Sequence, residues 1–125
     1  MTIRMYQITL TPAGSAGAAT ANAQTFEPVN GYLVGVHLNY TSQPATTDVT
    51  IATVAVPVTI LTISNANTDA WFYPKHVVHG EAGVALTGTS GGDRTYIPVA
   101  DYIKVTIAEG DPVANGLIAT LLVEC

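Results

Sequence analysis

The chain has 125 residues, of which 48% are hydrophobic and 10% charged, and its formal net charge is −5. A domain of that length buries roughly two-thirds of its unfolded surface and so builds a core without staples, while its charged share falls far below the roughly 25% of an average soluble domain. Arg4, Lys75, Arg94 and Lys104 are scattered and are its only fixed cations, which excludes a basic nucleic-acid footprint; the single Cys125 excludes an intrachain disulfide and a thiolate metal site, and points to folding in a reducing compartment.

Helical periodicity is absent, and Thr, Val, Ile and Gly stand where a helix wants Ala, Leu, Glu and Lys. Residues 3–11 read as a first strand, closed by Pro12 and the run Gly14-Ser15-Ala16-Gly17. Residues 18–26 read either as a weakly patterned second strand or as an arm that orders against another surface, so 1–26 is a strand plus a candidate N-terminal arm. Over 31–40, alternation places Tyr32, Val34, Val36, Leu38 and Tyr40 on one face and Leu33, Gly35, His37 and Asn39 on the other. After a polar turn at 41–48, a strand resumes over 49–56 and stops at Pro57. Residues 58–64 carry Val58 and Ile60 on one face and Leu61 and Ile63 on the other, which predicts a strand buried on both sides.

A turn at 65–69 leads into Trp71-Phe72-Tyr73-Pro74. A hairpin is expected at Ala82-Gly83 leading into a short strand at 84–86, followed by a glycine-rich loop over 87–94 and strands over 96–99, 103–108 and 117–124. Eight or nine short antiparallel strands, without a linker or repeat, predict an all-β chain: a single-domain β-sandwich over 1–125, jelly-roll-like. No apolar stretch reaches the about 20 residues of a membrane helix, and none near the N-terminus makes the apolar region of a signal peptide. A surface this poor in charge is expected to end up against neighbouring subunits.

Chemistry-bearing patterns are few. His76, His79 and Glu81 have the ligand types of a divalent-metal site, but strand residues three apart face opposite ways, so the two imidazoles converge only if the chain turns at Val77-Val78. Exposed polar side chains are the favoured reading, and neither metal nor cofactor is expected. His37 lies within a strand, and no serine occupies a nucleophile elbow. The acids Asp48, Asp69, Asp93 and Asp111 fall at predicted turns, where such side chains bond backbone. Three consecutive rings at 71–73 cannot all enter one core. Trp71, Phe72 and Tyr73, with His76 and His79, are therefore candidate interface residues, and sugar stacking is the other use of an exposed ring.

The segments Thr46-Thr47-Asp48-Val49-Thr50-Ile51, Thr59-Ile60-Leu61-Thr62-Ile63-Ser64-Asn65, Asn67-Thr68-Asp69 and Trp71-Phe72-Tyr73-Pro74-Lys75 resemble small virion proteins of tailed bacteriophages. The likeness continues through Gly83 and Ala85-Leu86, Ile97-Pro98-Val99 and Val105-Thr106-Ile107-Ala108, and fades at both ends. It implies a non-enzymatic virion structural protein: a capsid decoration or cement protein that binds the major capsid protein on the outer shell as a homo-oligomer, a trimer, and is made in the bacterial cytoplasm. No catalytic residue is carried over. The alternative is a receptor- or glycan-binding virion module, a head fibre or tail component, using exposed aromatics and the loops at 41–47 and 87–94. Neither nucleic acid nor membrane is an expected partner.

Overall fold

The structure, a computed structural model, describes residues 2–77, 79, 81–83 and 94–125. These form ten strands and no helix: β1 (Ile3–Leu10), β2 (Ala19–Gln24), β3 (Val29–Tyr40), β4 (Asp48–Thr53), β5 (Thr59–Ile63), β6 (Ala70–Phe72), β7 (Lys75–Val77), β8 (Arg94–Asp101), β9 (Ile103–Gly110) and β10 (Leu117–Glu124). One sheet runs β1-β10-β3-β8-β7, with β6 also paired to β3, and the other runs β2-β9-β4-β5. The pairings nest: β1 with β10, β2 with β9, β3 with β8 and β4 with β5, all antiparallel. A long hairpin folded over itself into two sheets is the jelly roll, with β6 and β7 added in the connection between β5 and β8. The predicted strand at 84–86 and all of the predicted loop at 87–94 except Arg94, which begins β8, lie outside the described residues.

The core lies between the sheets and follows from period-two alternation. In β10, Leu117, Ala119, Leu121 and Val123 are fully buried and the residues between them are half-exposed. Ile103, Val105 and Ile107 of β9, Val49 and Ile51 of β4, and Tyr6, Ile8 and Leu10 of β1 meet them. Each such aliphatic side chain taken wholly from water is worth about 1.5–3 kcal/mol before chain entropy is set against it.

Two sequence expectations are corrected and one open choice is decided. The first concerns the phase of β3, whose pairing with β10 shifts between Leu122↔Gly35 and Val123↔Leu33 and leaves Val34 as an extra residue. This bulge reverses the faces: Val36, Leu38 and Tyr40 point into the core, but before the bulge Leu33 points in and Tyr32 points out. The second concerns residues 58–64. Strand β5 is the edge of its sheet, Ile60 alone in it is buried, and Val58 just before it is exposed. The open choice concerns residues 18–26, where of the two readings the structure has the strand. Six residues form β2, which pairs with β9, while Ala19 is buried and Ala21 and Ala23 pack against the core. The small side chains serve close packing.

Polar clamps close the ends of the sandwich. Buried Gln43 accepts a hydrogen bond from the Asp111 N–H (2.8 Å) and donates to the carbonyls of Asp111 (3.2 Å) and Thr41 (3.3 Å). Its amide lies between Gly110 and Gly116, where a methyl group on either would fall on it. Asp101, at the end of β8, accepts from the N–H groups of Ala55 (2.9 Å) and Val56 (3.1 Å), fastening the turn between β4 and β5 to the opposite sheet.

Candidate functional site

The outer face of the six-stranded sheet is set by the same alternation that fills the core. On β1, Tyr6, Ile8 and Leu10 point in, so Met5, Gln7 and Thr9 point out. On β10 the outward residues are Ile118, Thr120, Leu122 and Glu124. Register aligns these into rows across the strands. Gln7 stands opposite Thr120, Thr120 opposite His37, and His37 opposite Trp71, so one row crosses β1, β10, β3 and β6. In the neighbouring row Met5 faces Leu122 and Leu122 faces Gly35, and the bare backbone of Gly35 is covered by the Tyr73 ring.

The first row runs from hydrogen-bonding groups at Gln7 and Thr120 to rings at His37 and Trp71. The Gln7 amide donates to the Thr120 hydroxyl at 3.5 Å. The His37 and Trp71 rings lie 4.9 Å apart, tilted by 54°. Trp71 and Tyr73 are nearly parallel, at 10° with 6.4 Å between centroids. Both stay open to solvent, Trp71 at 46% and Tyr73 at 63%. Beyond them Lys75 places its ammonium 4.8 Å from the centre of the Tyr96 ring, a cation–π contact.

The sequence-predicted candidates divide. Trp71 and Tyr73 are on the surface, whereas Phe72 turns inward opposite Val36 and packs against the core, as alternation requires of the middle ring. His76, in β7, and His79 and Glu81, beyond it, are exposed, and among the described residues no three His, Cys, Asp or Glu side chains are grouped to hold a metal ion. Asp48, Asp69 and Asp111 accept backbone N–H bonds from Asn65 (2.9 Å), Tyr40 (2.7 Å) and Gly17 (2.8 Å). They bond backbone as expected, but on distant segments rather than on their own turns. Asp93 lies outside the described residues. Tyr40 is buried, and that burial, with the charge of Asp69 second, raises its hydroxyl above the ordinary tyrosine value.

A second surface escapes sequence reading. Strand β1 is an edge of its sheet, and along it Ile3 (55%), Met5 (66%) and Phe26 (84%) are exposed. Phe26 leans on Tyr6 with 6.3 Å between centroids, and Arg4 reaches Glu27 at 3.8 Å. Together Arg4, Met5, Tyr6, Phe26 and Glu27 line an open recess of about 320 Å³. The outward phase of Met5 could have been read from the alternation of β1. Phe26 could not, because it follows a strand with little pattern.

No protein-family model matches the chain, and no curated protein is similar to it. Among solved structures, a mutant of a family 29 carbohydrate-binding module aligns over 99% of this chain and 92% of its own, with 9% identity and a TM-score of 0.44. A structure of the infectious bursal disease virus Gx strain aligns over 99% of this chain but 38% of its own, with 12% identity and a TM-score of 0.24. At these scores neither adds to what the strand order already shows.

Proposed function

We propose that the chain is a non-enzymatic structural protein of a bacteriophage virion, a decoration or cement protein that binds the major capsid protein on the outer shell and associates with copies of itself as a trimer. The observation that carries this reading is the β1 edge. Among the described residues it is an unpaired strand edge whose flank presents Ile3, Met5 and Phe26, the last two lining an open recess, in a chain with 10% charged residues. An edge with bare N–H and C=O groups and exposed apolar side chains is a template for pairing with another chain unless something covers it. Exposed apolar clusters of this kind mark interaction sites. The phage resemblance of residues 31–124 supplies the partner, a capsid shell.

Sedimentation velocity of the purified chain, followed by co-sedimentation with empty phage shells, tests the proposal. The expected result is a discrete oligomer that pellets with shells. Met5→Lys and Phe26→Asp are expected to return it to monomer and release it from the shell while circular dichroism is unchanged. A strict monomer that ignores shells overturns the reading.

A further inference from the structure

We propose that the row Gln7, Thr120, His37 and Trp71, together with Tyr73, is a binding site for an uncharged carbohydrate chain. The site centres on Trp71 and Tyr73 and reaches β1 only at Gln7, so it meets the assembly edge at one end and is separated from it by variants at Phe26.

A sugar ring presents two chemistries at once: a patch of C–H groups on its face and hydroxyls around its rim. A protein surface that takes it needs an exposed aromatic face for the first and planar or hydroxyl hydrogen-bonding groups beside it for the second. The row has both, in register. Trp71 and Tyr73 give two nearly parallel open rings, and His37, Thr120 and Gln7 continue away from Trp71 with imidazole, hydroxyl and amide in line. Four strands at about 4.8 Å spacing make the row roughly 14 Å long, which suits several sugar units rather than one.

Charge selects among occupants. Gln7, Thr120, His37, Trp71 and Tyr73 include no fixed charge, and Lys75, beyond them, is held over Tyr96. A phosphate or nucleic-acid backbone finds no row of cations here. A second copy of the chain would place the polar groups of Gln7, Thr120 and His37 in a dry contact, at a cost a sugar avoids by bonding to them. The surface is flat and open, so affinity is expected to be modest and to depend on chain length.

Trp71 is the only tryptophan in the sequence, so intrinsic fluorescence reports on this site alone. The experiment is a titration of the full chain with soluble neutral glucans, mannans and galactans, followed by Trp emission and by affinity gel electrophoresis. At least one polymer is expected to shift the emission saturably and to retard the protein. Tyr73→Ala, which keeps the reporter, is expected to weaken binding about tenfold, and Gln7→Ala to weaken it by less. Trp71→Ala should abolish retardation with unchanged circular dichroism. Phe26→Asp, on the assembly edge, should bind as the wild type does, so failure of one proposal is distinguishable from failure of the other. The proposal is overturned if none of these polymers shifts Trp71 emission, if Trp71→Ala is retarded as wild type, or if Trp71→Ala changes the mass of the oligomer.

Discussion

Gln43 shows what one buried polar side chain does in a loop. Its amide joins the turn at 41–47 to the segment after β9, accepting from Asp111 and donating to two carbonyls, and its own carbonyl takes the Asn67 side-chain N–H at 2.8 Å. Cutting it to alanine leaves the Asp111 N–H half-buried without this acceptor, and neither Gly110 nor Gly116 has a side chain to fill the gap. Gln43→Ala is therefore expected to lower unfolding stability by about 2–3 kcal/mol in urea denaturation. Asp101 works through charge. The Ala55 N–H, with those of Val56, Tyr102 and Val54 adding and desolvation opposing, holds its carboxyl below the ordinary aspartate value. A depressed folded value means that the stabilisation is complete above the unfolded value and is lost as pH falls through the folded one. The Tm gap between wild type and Asp101→Asn should thus be constant from neutral pH down to the ordinary carboxylate range and close below it. A gap that persists in strong acid would show that the contact does not depend on ionisation. The sequence marks Asp as a turn residue at several of these positions, but it does not show which distant N–H each one meets.

At the scale of the element, strands with unbroken alternation are legible and those with a phase slip are not. The predicted strand at 117–124 coincides with β10, because Leu117, Ala119, Leu121 and Val123 alternate without interruption. In β3 most positions from Tyr32 to Tyr40 are apolar or small, so a bulge at Val34 leaves the written pattern looking continuous while reversing the faces. Leu33→Ala is accordingly expected to cost about 3 kcal/mol, and Tyr32→Ala, at an exposed position, within about 0.5 kcal/mol. Equal effects in thermal or chemical denaturation would count against the bulge. The same reasoning applies to the candidate site. Alternation puts Phe72 on the face opposite Trp71 and Tyr73 without saying which face is outward, and placing Gln7 beside Thr120 requires pairing residues 113 apart in sequence, for which the local pattern holds no signal.

For the whole molecule, fold class was legible because most of the ten short strands leave a stretch of period-two pattern, but the nesting of β1 with β10 and β2 with β9 depends on contacts across the full chain. Among the described residues the sheets end at β1, β7, β2 and β5, and this decides what an oligomer can be. Pairing of β1 with β1 of a second copy is a self-complementary two-fold contact and closes as a dimer. A trimer instead needs the β1 edge, with the recess beside Phe26, to meet a different surface of the next copy. The measured mass therefore tells which contact forms. Salt tells what holds it: each copy carries −5, so copies repel at low ionic strength, and screening over a Debye length of about 10 Å at 0.1 M removes that repulsion. An apolar contact is not weakened by the same salt, and sulfate strengthens it by exclusion from the surface. The oligomer should consequently tighten as sodium sulfate is raised in sedimentation equilibrium, and tighten again as pH approaches the sequence pI near 4.8. If it dissociates in salt, ion pairs such as the one between Arg4 and Glu27 have been exchanged between copies, and the contact is electrostatic rather than the apolar edge.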